Sequence, residues 1–384
     1  MPAHPSPKPR RHRLRVTVRM LMILVLILGS GLGWLVHRAQ VQREAIASIG
    51  RADGSVIYYH QVRRRSSGTP WWPSWAADIL GIDYFDDVRS VFLEFKESNL
   101  ERELAHVGRL DRLEILSLTG SRVTDKGLTP LAGLGSLQRL NLDDTEVTDA
   151  GMPYLEGLSG LCFLDLSRTK VSDTGLAHLR GLSGLTDLFL EGTKVGDTGL
   201  SHLGGLIRIK TLRLKNTAVG DRGMAHLARL TGLQILTLGG TAITDHGLRY
   251  LDGLTALIRL ELDSTLVTDS GVAQLSHLPR LQGLNLGKTA LSDAGMAHLK
   301  RLPGLRWLNI RSTRVTDAGL EHLKGLSALQ SLDLSYLGVG PAGLTVLKSL
   351  TGLDRLELYG TRIGDAELGE LREALPKTTI PRPD

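Results

Sequence analysis

The chain has 384 residues, 42% apolar and 22% charged, which is a globular composition with room for two or three ordinary domains. Its net charge of +6 has two unlike parts: residues 1–65 hold 12 Lys/Arg against Glu44 and Asp53, leaving 34 basic and 38 acidic residues, a net of −4, in 66–384. A mildly acidic body offers no electrostatic footprint for nucleic acid, and a single cysteine, Cys162, excludes an internal disulfide.

Residues 1–19 form a basic tail. Met20–Val36 then runs for 17 residues without a charge. As a helix this is about 26 Å, against a hydrocarbon core of roughly 30 Å, and Arg19 can extend it by snorkelling. Trp34 stands where an interfacial aromatic belongs. Six Lys/Arg precede the run and only Arg38 and Arg43 follow closely. That asymmetry predicts a single-pass anchor over 20–36, a cytoplasmic N-terminus, and an extracytoplasmic body, periplasmic or at the cell surface. A cleaved signal peptide, with Gly29–Gly33 as the small-residue region, is the rival, but the run contains no Ala-x-Ala site.

Residues 37–88 are predicted to be a linker and N-terminal cap. Ala39–Ile49 has helical spacing, Ser55–Tyr59 reads as a strand, Arg63–Gly68 as a loop, and Pro73–Leu80 begins a helix with Trp75 on its apolar side. Trp71, Trp72 and Trp75 would seal the open end of the repeats, or else touch lipid headgroups. A degenerate first repeat follows at 89–112, with Leu93, Phe95, Ser98 and Leu100 in strand spacing and Leu104, Val107 and Leu110 after them.

Residues 113–376 hold eleven copies of a 24-residue unit without insertion, and 377–384 form a C-terminal cap or tail. The pattern is LxxLxLxxTxVTDxGLxxLxxL, as in Leu161, Leu164, Leu166, Thr169, Val171, Asp173, Gly175, Leu176, Leu179 and Leu182. Leu164 and Leu166 alternate inward from a short strand, while leucines 176, 179 and 182 line one face of a short helix. The residue before each aspartate is Thr, Ser or Gly, the helix N-cap types. The aspartate then opens the helix, where its charge complements the dipole, and Pro341 substitutes there because proline suits that position. The Thr column should cap backbone groups in the turn after each strand, and the Gly column should allow close approach of neighbouring repeats. One unit cannot bury its apolar face alone, so the array must stack. Strands stack about 4.8 Å apart and helices about 8–10 Å, which bends the stack with its strands inside. Thr378–Ile380 is expected to close the far end as a strand stopped by Pro381 and Pro383.

The segment V-T-D-x-G-L at Val123–Leu128, repeated at Val315–Leu320, resembles the leucine-rich-repeat family, nearest to its ribonuclease-inhibitor-like and cysteine-containing subclasses. Thr145, Thr169 and their equivalents stand where that family has Asn or Cys. The resemblance implies an α/β solenoid with parallel strands on the concave side and short helices outside, and binding of proteins or ligands on the concave face. The whole layout, from basic tail and anchor to repeats, is similar to bacterial membrane-anchored members.

Candidate site residues are the outward strand positions, which no core requirement dictates. Asp143, Asp144, Phe163, Asp165, Asp187, Phe189 and Glu191 form one patch, two phenylalanines among five acids. Trp307, Arg311, Tyr336, Arg355 and Tyr359 form another, made of the residue types enriched at binding hot spots. These side chains could instead cover one another across strands. Arg213, Lys215, Gly239 and Gly240 make a blander stretch between the patches. The column His106, His178, His202, His226, His298 and His322 reads as a solvated helix flank, because helices about 8–10 Å apart hold imidazoles too far apart to share one zinc. No nucleophile elbow, phosphate loop, H-E-x-x-H or CxxC occurs in the sequence, so no enzyme activity, metal or cofactor is expected. The expected function is a membrane-anchored extracytoplasmic scaffold that binds an unidentified protein, or a glycan. The alternative is a structural envelope protein with no discrete ligand.

Overall fold

The computed structural model describes residues 18–58, 75, 78–79, 81–84, 86–93 and 100–381. Among the described residues the backbone forms a ladder of thirteen short strands in sequence order. They are β1 (Ser55–Tyr58), β2 (Val88–Phe92), β3 (Ile115–Ser117), β4 (Arg139–Asn141), β5 (Phe163–Asp165), β6 (Asp187–Phe189) and β7 (Thr211–Arg213), then β8 (Ile235–Thr237), β9 (Arg259–Glu261), β10 (Gly283–Asn285), β11 (Trp307–Asn309), β12 (Ser331–Asp333) and β13 (Arg355–Glu357). From β2 onward every pairing is parallel, with Leu116, Leu140, Leu164 and their successors in register through Leu356. Identical spacing forces this register, because each repeat returns the same leucine to the same height. Those leucines and the strand-following ones, such as Leu118 and Leu142, are fully buried.

On the opposite side the expected helix is a plain α-helix in some repeats, as at Asp221–Leu227 and Asp293–Leu299, and tighter in others. Asp173–Leu176 is one α-turn and Ala177–Leu179 continues it as a 3₁₀ turn, a pattern seen again at Asp245–Leu248 and Arg249–Leu251. Leucines spaced by three eclipse one another on a 3₁₀ turn, so the same side chains line the core more directly than on an α-helix. The Thr column does what its position implied: Thr145, Thr169 and Thr265 each donate to the carbonyl three residues back at 2.6 Å.

The aspartate column does more than favour its own helix. Asp125 accepts the Thr148 N–H at 2.8 Å and the Thr148 hydroxyl at 2.7 Å, so it ties its repeat to the next one. The same pair of bonds joins Asp221 to Thr244, Asp245 to Thr268 and Asp293 to Thr316. Where the cap is glycine, the backbone N–H alone bonds, as from Gly196 to Asp173 at 2.6 Å. This contact explains the glycine column. A Cβ added at Gly151, Gly199, Gly223 or Gly247 would stand 2.5–2.6 Å from the preceding repeat's aspartate Oδ1. The exception confirms the coupling. Pro341 removes the carboxylate, the next glycine slot is Glu367, and Glu367 turns back to accept the Gly364 N–H at 3.1 Å.

The N-terminal end is closed by helix α1 (Val18–Arg51) and by β1, which pairs antiparallel with β2. Ala39, Ala45, Ser48 and Ile49 of α1 are buried, and Gln42 bonds the Asp83 and Asp86 carbonyls and the Val88 N–H at 2.8–3.1 Å. The predicted helix at Ala39–Ile49 and strand from Ser55 are both present. Trp75, however, is 63% exposed and seals nothing, because α1 takes that place; Trp71 and Trp72 lie outside the described residues. The first repeat is also framed differently. Val91 pairs with Leu116 and Leu93 is the second buried position, two residues earlier than the Leu93–Phe95 frame. A two-residue slip keeps every side chain on its face, so alternation could not separate the two frames; Phe95 and Ser98 lie outside the described residues. At the far end Thr379 makes one parallel bridge to Arg355, with Pro381 two residues later.

Among the described residues no helix is long and apolar enough to cross a membrane. The first half of α1 nevertheless carries Met20, Met22, Ile23, Val25, Leu26, Ile27, Leu28, Leu32 and Trp34, each more than half exposed.

The contact between neighbouring repeats predicts a coupled pair. Gly151→Ala should destabilise by about 1–3 kcal/mol through overpacking against Asp125. In the Asp125→Ala background the same change should cost less by at least about 0.5 kcal/mol, as measured by a denaturant double-mutant cycle.

Candidate binding face

Each strand presents two outward side chains, and the turn after it adds a third. Register places equivalent positions of adjacent repeats side by side, so three columns run along the concave face. In the N-terminal part, the columns bring Phe163 and Phe189 into an edge-to-face pair with centroids 5.0 Å apart. Arg139 lies over Phe163 at 4.0 Å and Arg213 over Phe189 at 4.2 Å, each Arg being the register partner of its ring. The result is an Arg–Phe–Phe–Arg stack across four strands, with both rings half-buried. Beside it, Phe92, Ile115, Ser117, Thr119, Arg139, Asn141 and Phe163 line a hollow of about 220 Å³.

The acids of this patch divide by role. Asp165 is buried and accepts the Ser167 N–H at 2.9 Å, which builds the turn after β5. Asn141, Asn285, Asn309 and Asp333 make the same bond two residues on. Asp143 pairs with Arg168. Burial, then the nearby charge of Asp165, hold the Asp143 carboxyl above the usual carboxylate range despite Arg168. Asp187 accepts the Thr186 hydroxyl at 2.7 Å. Asp144 is exposed with a left-handed φ of 57°, and Glu191 is half-buried.

The middle of the face is not bland. Lys215 reaches Asp263 at 3.1 Å, two repeats away, across Gly239. A Cβ at Gly239 would stand 2.5 Å from that carboxylate. In the same manner Arg259 reaches over Gly283 to the Trp307 ring at 4.8 Å. The expected C-terminal patch therefore splits. Trp307 belongs with Arg259, whereas Arg311, Tyr336, Arg355 and Tyr359 line one groove of about 410 Å³ together with Asp333, Ser335 and Glu357. Sequence reading missed Arg139, Arg168 and Arg259, and set Arg213 in the bland stretch although it covers Phe189. Comparing outward positions at 24-residue spacing would have found Arg139, Arg213 and Arg259, since each sits one or two repeats from the ring it covers.

The histidines lie on the outer flank. His178 meets Glu156 at 2.6 Å through Nδ1, and burial, then Arg180, hold the His202 pKa below its ordinary value. Among the described residues no three His, Cys, Asp or Glu are placed to hold a metal ion, and nothing on the face points to catalysis.

A stack of 24-residue strand–turn–helix units with a buried leucine ladder defines a solenoid class. The family model described as a leucine-rich repeat matches residues 113–132, and the same columns continue through the array, so the chain is a leucine-rich-repeat protein. No curated protein matches it in sequence. Among solved structures it is similar to an internalin (InlF) of Listeria monocytogenes, with 25% identity, 79% of this chain and 92% of that one covered, and a TM-score of 0.60. It also shares the fold of a leucine-rich-repeat protein of Leptospira interrogans, at 18% identity, 82% and 93% coverage and a TM-score of 0.50. The mouse RP105/MD-1 complex matches at 20% identity, covering 70% of this chain and 47% of that one, with a TM-score of 0.54.

Two aspartates should respond oppositely to neutralisation. Burial would raise the Asp149 pKa, but the Ser172 and Thr174 hydroxyls and the Ser172 and Gly175 N–H groups outweigh it and hold the pKa below the ordinary value. Its stabilisation is therefore present above about pH 4 and lost as pH falls through the lowered pKa. Asp149→Asn should cost about 1 kcal/mol at pH 7, the modest end for a half-exposed carboxylate. Asp143 has the raised pKa, so its ionisation opposes folding as pH rises. Asp143→Asn should leave stability at pH 7 unchanged or higher, as read by urea unfolding of both variants from pH 3 to 8.

Proposed function

We propose that the protein is a membrane-anchored, extracytoplasmic binding scaffold whose concave face captures a protein partner. The observation that carries this reading is the half-exposed Phe163–Phe189 pair, held rigid between Arg139 and Arg213 and ringed by Asp143, Asp144, Asp187 and Glu191. Pre-ordered aromatic rings lose little entropy on contact, and the surrounding acids select a basic segment carrying an apolar side chain. RP105, which shares the fold, is found in a complex with MD-1.

The anchor reading rests on the uncharged run Met20–Val36 and on the exposure of its apolar side chains in a helix whose second half is buried in the cap. The run is a few ångströms short of a typical bilayer core, a mismatch that snorkelling of Arg19 and local thinning can absorb. A second reading, a structural envelope protein, draws on the ion pairs Asp143–Arg168, Lys215–Asp263 and Arg259–Glu261 that close within the face.

Charge reversal at Asp143 and Asp187, or Phe163→Ala, should reduce partner cross-linking in intact cells at least ten-fold while circular dichroism stays unchanged. Undiminished cross-linking would favour the structural reading. The anchor predicts that the chain resists carbonate extraction from membranes. It also predicts that a membrane-impermeant maleimide labels the half-buried Cys162 in cells with the cytoplasmic membrane intact. Labelling only after that membrane is opened would place the repeats on the cytoplasmic side.

A further inference from the structure

One repeat breaks rules that its neighbours keep, and it is the repeat at the centre of the C-terminal groove. In every regular repeat the residue after the strand turn has a left-handed φ between 53° and 69°. Ten of the eleven are Gly, Asp, Arg, Asn, Ser or Lys; the eleventh is Tyr336, at φ 60° and 58% exposed. A bulky aromatic is poorly suited to that conformation. The same repeat replaces the turn threonine with Leu337 and the inter-repeat aspartate with Pro341. Strain kept at an exposed position, in a repeat that has also lost two of its stabilising groups, marks a functional rather than a structural choice.

The groove follows from side-chain size. Ser335 sits between Arg311 of the preceding repeat and Tyr359 of the following one, in the same column, and is buried. A small residue between two large ones leaves the hollow. The Tyr336 ring forms its lip: it lies against Gly360, where a Cβ would stand 2.6 Å from the ring, and 5.5 Å from the Arg311 guanidinium. The groove's volume, about 410 Å³, falls within the roughly 300–1,000 Å³ of small-molecule sites.

The polar lining is balanced. Arg311 and Arg355 only donate, Asp333 and Glu357 only accept, and their charges cancel. Arg355 is paired with Glu357, and Asp333 takes the Ser335 N–H. The buried Arg311 Nε and Glu357 Oε2 have no hydrogen-bond partner. A cancelled charge does not select a strong anion or cation. A ligand that offers donors and acceptors side by side, together with a C–H face for an aromatic ring, meets every one of these groups. Sugar rings have that chemistry. The geometry points to a saccharide-binding groove in which a neutral sugar ring stacks on Tyr336 and its hydroxyls meet the Arg311, Asp333, Arg355 and Glu357 side chains that line it.

The test titrates the full-length chain, in a detergent without a sugar headgroup, against defined neutral oligosaccharides of the glucose, mannose, galactose and N-acetylhexosamine series. Sulfated and uronic-acid oligosaccharides and a basic peptide are run alongside. At least one neutral series should bind, and Tyr336→Gly and Glu357→Gln should each weaken it ten-fold or more. Because glycine relieves the left-handed backbone, Tyr336→Gly should leave the melting midpoint unchanged or higher. Phe163→Ala should leave sugar binding intact, which separates this groove from the protein-capturing patch. The proposal is overturned by no binding across the neutral series, by binding of acidic sugars alone, or by binding that survives Tyr336→Gly. It is overturned equally if the basic peptide occupies the groove in place of a sugar, or if Tyr336→Gly lowers the melting midpoint.

Discussion

The carboxylate that opens each helical turn grips the backbone N–H that opens the next, and the architecture depends on that grip. Leucines bury the interior, but a stack of apolar residues could slide or splay. A directional charge-assisted bond repeated once per unit sets the spacing between units and their rotation. It also restricts the sequence in a way that hydrophobic burial does not. Glycine is required wherever the preceding repeat's carboxylate occupies the space a Cβ would need, as at Gly151, Gly199 and Gly343. Pro341 and Glu367 show the coupling from the other side: the carboxylate and the glycine are lost together, one repeat apart, and Glu367 restores the missing acceptor.

With the interior and the inter-repeat contacts assigned to other columns, the concave face is free of structural duty except at the Asx turns. There the same 24-residue period has a different effect. It lines up side chains from successive repeats so that Arg139, Phe163, Phe189 and Arg213 stack across strands. Glycine on this face acts as a gap. Gly239 and Gly283 let Lys215 and Arg259 reach partners two repeats away, joining what would otherwise be independent patches. The C-terminal groove arises from a size contrast of the same kind, with Ser335 between Arg311 and Tyr359. Binding chemistry here depends on differences between neighbouring repeats rather than on the repeat itself.

The ends of a solenoid expose core leucines and an unpaired strand edge, and the two ends of this chain meet that problem differently. At the N-terminus an antiparallel strand covers the edge and the second half of α1 covers the core, with Gln42 satisfying the backbone between them. At the C-terminus a single bridge from Thr379 suffices, because Pro381 follows two residues later and the last helix turns over the core. The exposed apolar half of α1 is continuous with its buried half, so whatever receives those side chains also positions the capped end of the solenoid.

What the sequence determined by itself was everything periodic. The leucine spacing specified the strands, their parallel order and the buried residues, and the Thr column announced its turn bond, because each depends on neighbours close in the chain. Contacts between one repeat and the next were decided only in three dimensions. Spacing could show that Asp and Gly recur, but not that the aspartate of one unit fills the space above the glycine of the next. The first-repeat frame was undetermined for a related reason: Val91, Leu93 and Phe95 alternate equally well, and pairing with β3 selects between them. Trp307 and Tyr336 read alike as exposed aromatics. Their different settings, one beneath Arg259 and the other at the lip of a groove, depend on which side chains 24 and 48 residues away lie within reach.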